Sequence, residues 1–235
     1  MTHPDSALAR RALEGAHDLI LSLLPQLDRL RSQVTIKGDD TPVTAADRLV
    51  QSELESYLRA QFTDLTFVGE EDEAGWDQEP TGWVAVVDPI DGTENFASSL
   101  PEWGTAVSIF RHGAHAASMI ALPELGRKLV TGQSVTPRHS RITAFSSGIS
   151  EELVRQIAAT PQSRLFGAAV YNLYNVITGR VRRFVNPVGA YSWDLLAGLQ
   201  LALEHGCTVT IDGARYTGEY LHPGVKYRID ITRPE

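Results

Sequence analysis

Cysteine is almost absent from these 235 residues. Cys207 stands alone, which excludes an internal disulfide and a cysteine-rich zinc site and makes a reducing compartment, the cytoplasm, the expectation. Long apolar runs are missing too. The run from Leu19 to Leu24 is approached through Glu14, His17 and Asp18 and closed by Pro25, so it reads as neither a signal peptide nor a membrane span. Basic residues are outnumbered, 21 Lys and Arg against 29 Asp and Glu, and a net charge of -8 excludes nucleic acid and anionic membranes as main partners. An acidic chain can still hold a small anion if a bound divalent cation supplies the positive charge.

What is present is the make-up of a folded protein, 43% hydrophobic and 21% charged. Apolar positions at helical spacing predict a first helix from about Ser6 to Leu30, with a kink or end at Pro25. A turn-rich loop, Lys37 to Pro42, precedes a second helix that Thr44 and Asp47 open as a capping box and that runs to about Gln61. Strands are predicted at Thr66 to Val68, Trp83 to Val87, Thr105 to Arg111 and Ala116 to Leu122, the last two joined by a turn at His112-Gly113. The second half alternates, with strands at Arg141 to Ser146 and Arg182 to Val185 and helices at Glu151 to Ala159, Ala169 to Ile177 and Trp193 to His205. No hairpin is legible between Glu124 and Arg141. The pattern gives mixed α and β, with a first lobe ending near Leu122 and an alternating second half.

Asp88-Pro89-Ile90-Asp91-Gly92-Thr93 follows a strand and places two carboxylates in one tight turn, the oxygen-rich arrangement that hard divalent cations prefer. Gly92 would let backbone amides approach a phosphate. Alone, an Asp-Gly pair is an ordinary turn, Glu70-Glu71 is a solvated acidic loop continuing into Asp72 and Glu73, and Asp194 is a favourable charge at a helix start. His112 and His115 need no ligand role, and Trp83, Trp103 and Trp193 read as packing residues.

Together, Glu70-Glu71, the run Trp83 to Phe96, and Trp193-Asp194 followed by Ala197-Gly198 resemble the inositol monophosphatase superfamily in order and spacing, with the loop from Lys37 to Asp47 as an upstream match. The resemblance implies a layered α/β/α/β/α sandwich, built from an α+β first lobe over residues 1–122 and an α/β second lobe over 123–235, and a homodimer. It also implies Mg2+-dependent, Li+-sensitive hydrolysis of a small phosphorylated metabolite, using two or three ions. Glu70, Asp88 and the Ile90 carbonyl would bind one ion and Asp88, Asp91 and Asp194 a second, with Glu70 holding water at a third. Thr93, polarised by Asp47, or Glu70 would activate the attacking water. Asp91, Gly92, Thr93, Gly167, Ala168, Asn186 and Asp194 would surround the substrate, and Lys37 could reach its phosphate.

The pattern departs from the family at Ala168, where a hydroxyl residue is common, and at Asn186, where inositol-selective members often carry Glu. The Thr-Pro-Val-Thr segment and Pro101-Glu102-Trp103 look somewhat like histidinol-phosphate phosphatases of the same superfamily. A polyol or cyclitol monophosphate is the expected substrate. Histidinol phosphate, a nucleotide 3'-phosphate and a catalytically idle metal- or phosphate-binding module are the alternatives.

Overall fold

The computed structural model describes residues 4–36, 38, 42–71 and 81–234. Its order begins α1 (Pro4–Leu30), β1 (Val34–Ile36), β2 (Pro42–Thr44), α2 (Ala45–Gln61), β3 (Thr66–Gly69), β4 (Trp83–Asp91) and α3 (Thr93–Ala97). It continues with β5 (Gly104–Arg111), β6 (Ala114–Leu122), a 3-10 turn at Pro123–Leu125 and β7 (Arg127–Val130). The second half adds β8 (Thr143–Phe145), α4 (Glu151–Ala159), β9 (Ser163–Leu165), α5 (Ala169–Ile177), β10 (Arg183–Ala190) and α6 (Ser192–Glu204). Strands β11 (Thr208–Ile211), β12 (Ala214–Arg215) and β13 (Tyr227–Thr232) complete it.

Two sheets stack between helices. The first has the order β3-β4-β5-β6-β7, antiparallel except for the β3–β4 pair. Helices α1 and α2 cover one face, burying Ala9, Leu13, Ala16, Ile20, Val50, Leu54 and Leu58 at helical spacing. Helices α5 and α6 cover the other face and also meet the second sheet, whose order is β12-β11-β13-β10-β8-β9. On its far side α4 packs Leu153 and Ile157 against Phe145 and Val185. The result is the α/β/α/β/α sandwich, with one apolar core running from Val84 and Phe110 through α5 and α6 to Phe184 and Ile231. No described helix is long and apolar enough to cross a membrane.

Two local expectations are corrected, and that for the first helix is narrowed, since Pro25 does not end it. Helix α1 continues through Pro25 to Leu30. Proline removes the donor that the Leu21 carbonyl would use, but both residues are exposed, so water can satisfy that carbonyl. A hairpin does follow Leu122, because Gly126 adopts φ 57 and sets Arg127 opposite Leu122, so the first sheet extends to Val130, past the expected lobe boundary. The segment from Asp88 is not a tight turn, since β4 runs through Pro89 and Ile90 to Asp91 and the chain turns only at Gly92, with φ 85.

The way β4 reaches Asp91 decides where its carboxylates point. Val84 and Val86 face α5 and α6, whereas Ala85 and Val87 face α1 and α2, as strand alternation requires. Asp88 pairs with Ala106 but Asp91 with Gly104, so two residues of β4 oppose Thr105 alone. This bulge puts Ile90 among the α1–α2 side chains and Asp91 on the α5 side, a reversal of the uninterrupted alternation. Pro89 has no N–H to lose there, and its carbonyl accepts from Thr105 Oγ1 at 2.8 Å.

Helices α5 and α6 approach closely at Gly198, where an added Cβ would lie 2.7 Å from Leu173 Cβ. Alanine normally stabilises a helix interior over glycine by about 1 kcal/mol, but the clash reverses the sign here. Gly198→Ala is expected to lower stability by roughly 1–3 kcal/mol, read as a lower urea midpoint with unchanged slope; a higher midpoint would contradict this packing.

Candidate metal centre and active site

The centre forms where β4 ends and helices α5 and α6 begin. Asp88, Asp91 and Asp194 each present a carboxylate oxygen within 4.8 Å of the others. Asp88 is fully buried, and among the described residues neither of its oxygens has a hydrogen-bond partner that can donate to an ionised carboxylate. Its neighbour Asp194 could donate only by holding a proton.

Burial, and then the charges of Glu70, Asp91 and Asp194, raise the Asp88 carboxyl well above the ordinary carboxylate range. Asp91 is raised in the same direction by burial and by Asp194, partly opposed by backbone N–H groups of Val170 and Ala169. The Val170 amide reaches Asp91 Oδ2 at 2.5 Å, so Asp91 caps α5 from another strand and meets the positive end of its dipole. Asp194 accepts from the Tyr191 amide at 2.7 Å and closes the first turn of α6. Buried acids with oxygen atoms this close are a donor set for a hard divalent cation, which would supply the missing positive charge.

Glu70 lies at the end of β3, its amide donating to Val87 O at 3.2 Å, and it shares the cavity with Glu71, Asp91 and Asp194. Gly69 leaves room for the Gln51 amide: a Cβ there would sit 2.5 Å from Gln51 Cδ and push that side chain aside. Gln51 uses that closeness, its Oε1 accepting from the Glu71 amide at 3.0 Å and fixing the acidic segment onto α2.

Asp47 combines the two roles between which the sequence could not choose. Its Oδ2 accepts from the Thr44 amide at 2.8 Å and from Thr44 Oγ1 at 2.5 Å, completing the capping box. Its Oδ1 accepts from Thr93 Oγ1 at 3.0 Å, and the Ile90 carbonyl lies 3.1 Å from the same hydroxyl. Burial raises the Asp47 carboxyl above its ordinary range, and the donors from Thr44 and Thr93 oppose the rise.

Gly92 needs both its positive φ and its missing side chain, because a Cβ would lie 2.7 Å from that of Ala168. Ala168 is buried in this contact, and Gly167, φ 87, passes against Asn95. Asn95 Nδ2 donates to the carbonyls of Glu102 at 2.8 Å and Phe166 at 2.6 Å, tying α3 to the loop before α5. Asn186 lines the same cavity of about 880 Å3, but its Oδ1 accepts from the amides of Val188 and Gly189 at 3.2 and 2.9 Å. Its amide nitrogen is the group able to address a ligand.

The cavity brings Glu70, Asp91, Gly167, Ala168, Asn186 and Asp194 together, with Asp88 beneath and Thr93 beside them. Lys37 lies outside the described residues, as do Asp39, Asp40, Thr41, Asp72 and Glu73. Sequence reasoning missed Gln51 and Asn95, which hold backbone in place, and Lys226, which lines the cavity 4.9 Å from the Tyr191 ring. Only Gly69 and Gly92 hinted at such close approaches. His115 is buried against Ser118 Oγ at 2.8 Å and pushed down to about 4, a neutral packing residue.

Residues 2–141 match the model of the Inositol monophosphatase family, more than half of the chain. The chain belongs to the inositol monophosphatase family. Within this family it is 28% identical over 209 residues to the inositol-1-monophosphatase of Mesorhizobium japonicum, covering 78% of this chain and 77% of that one. It is 36% identical over 127 residues to the histidinol-phosphatase of Chlorobaculum parvum, 52% of this chain and 46% of that one. The chain thus spans about half the length of the histidinol-phosphatases it matches. The inositol monophosphatase fold is seen in the Thermotoga maritima IMPase structure, at TM-score 0.76 and 20% identity over 95% of this chain and 90% of that one.

The raised carboxyl of Asp88 fixes a pH dependence. Below the unfolded value of about 4 both states hold the proton; above it the unfolded chain releases the proton and the metal-free fold resists, so stability falls as pH rises. In chelator, Asp88→Asn should therefore melt above the wild type at about pH 8, with the gap closing toward about pH 4. Added Mg2+ should raise the wild-type melting temperature and leave the variant's nearly unmoved. A variant less stable than wild type at every pH would show that this carboxylate is not under strain.

Proposed function

We infer that the protein is a Mg2+-dependent phosphomonoesterase that hydrolyses a small polyol or cyclitol monophosphate. The buried Asp88, without a donor and beside two further carboxylates, carries this reading. Glu70, Asp88, Asp91, Asp194 and the Ile90 carbonyl would hold two or three ions. Bound Mg2+ supplies acidity to a coordinated water and offsets charge on the phosphoryl oxygens.

The chain's own groups support the rest. Asp47 takes the Thr93 proton into a hydrogen bond, which turns the hydroxyl's lone pairs toward the cavity to accept from the attacking water. Glu70, which lines the same cavity, would receive the proton that this water gives up. Amides at Gly92 and Thr93 would meet the phosphate where the positive φ opens the backbone. Water adds to phosphorus, the ester P–O bond breaks, and the alcohol leaves as a hydroxyl compound together with inorganic phosphate.

The donors Asn186 and Lys226, which line the cavity together with its acids, favour a neutral or anionic alcohol. Histidinol phosphate, whose leaving alcohol is cationic, is the second reading, favoured by similarity to a histidinol-phosphatase over 127 residues. The reading includes a homodimer, which light scattering over a concentration series checks.

A phosphate-release screen over inositol phosphates, histidinol phosphate, sugar phosphates and nucleotide 3'-phosphates tests reaction and substrate together. Expected is Mg2+-dependent turnover of a polyol ester, inhibited by millimolar Li+ and reduced about 100-fold or more in Asp91→Asn and Thr93→Val. Thr93→Ser should retain most of the rate. Tight phosphate binding without release from any ester would leave a binding module instead.

A further inference from the structure

Positive charge gathers at the end of α5 remote from the carboxylates. From Leu125 to Trp193 the chain has nine Lys or Arg and two Asp or Glu, a local net of +7, whereas the whole protein is -8. Arg138, His139, Arg141, Arg182 and Arg233 line one cavity of about 330 Å3. An adjoining cavity of about 260 Å3 shares Arg138 and adds Lys128, Arg180 and the hydroxyl residues Thr136 and Thr178. Lys128 is ion-paired with Glu14, and among the described residues no carboxylate lines either cavity beside the arginines.

The main chain holds these like charges together. Arg138 N donates to Thr178 O, Arg182 N to Ile142 O and Arg233 N to Arg182 O, each at 2.9 Å. The Arg233 guanidinium donates to the Ile177 carbonyl at the end of α5. The cleft is therefore built before any ligand arrives, and an anion entering it would relieve repulsion without ordering the backbone.

The geometry points to a binding site for a short oligophosphate, with successive phosphoryl groups in the two cavities and Arg138 between them. Guanidinium groups match phosphate oxygens in forked pairs, and the two cavities sharing one arginine suit more than a single phosphate. A long nucleic acid fits poorly, because the rest of the chain has twelve Lys or Arg against 27 Asp or Glu and would repel its extension. The tyrosine lining the cleft, Tyr174, is buried, with the Arg180 guanidinium 5.7 Å from its centroid, so among the described residues the small imidazole of His139 is the one exposed ring offered to a base. The nine residues of α5, about 13 Å at 1.5 Å rise each, separate this cleft from Asp91, and the proposal does not rest on the phosphatase reading.

Calorimetric titration of the full chain with tripolyphosphate in chelator tests it, since the metal-free carboxylates of the other site repel anions. One saturable site per chain is expected, weakening with salt and at least about tenfold weaker in Arg138→Glu/Arg141→Glu, at two exposed positions. If that variant melts early, Arg141→Ala/Arg180→Ala, which removes one charge from each cavity, replaces it with the same expectation. A sugar bisphosphate titrated in parallel separates organic from inorganic occupants; uptake of either through these arginines sustains the proposal. No saturable uptake, or equal affinity in the variants, overturns it. So does a single-stranded RNA that displaces tripolyphosphate and is lost in the same variants, which would make the cleft a nucleic-acid surface.

Discussion

Three carboxylates within 4.8 Å of one another, one of them fully buried, raise the free energy of the folded chain, and the surrounding elements are arranged to sustain them. The bulge in β4 turns Asp88 and Asp91 to the same side although their odd spacing would set them on opposite faces. Helix α5 points its first amides at Asp91, and α6 begins on Asp194, so two helix N-termini offset part of the repulsion. Both helices lie in the middle layer and pack against both sheets, which makes the large core the mechanical support of the acid cluster.

Much of this was legible in the chain. The periodicity of Leu13, Ala16 and Ile20, the capping residues Thr44 and Asp47, and the two-residue turn at His112-Gly113 each encode a local geometry that the fold retains. The lost details are of another kind. Strand β4 runs past Pro89 because the bulge removes the need for its N–H, and nothing local distinguishes that bulge from a turn. The hairpin at Gly126 has too few residues to show a pattern. Strand β13 does carry alternation, with Ile229 and Ile231 inward, but its partners β10 and β11 are far away in sequence.

The same division runs through the site. Asp88, Asp91 and Asp194 could be brought together from sequence only by their order and spacing, whereas Gln51 and Asn95 act through backbone groups up to 71 residues distant. Such side chains leave no motif, because their partner is a carbonyl or amide that every residue possesses. The crossing of Gly92 and Ala168 is of the same kind: the Cβ at 168 lies against the space that the glycine leaves open, a contact between positions 76 residues apart.

Asp47 divides its two oxygens between the first turn of α2 and the Thr93 hydroxyl. Asparagine would replace one acceptor with a donor, and glutamate would move both by a carbon–carbon bond. Evolution therefore cannot adjust this position for folding and for chemistry separately. Any substitution that loosens the helix start also releases the hydroxyl, so drift at 47 is blocked from two directions at once, and neighbouring positions must absorb whatever tuning the site undergoes.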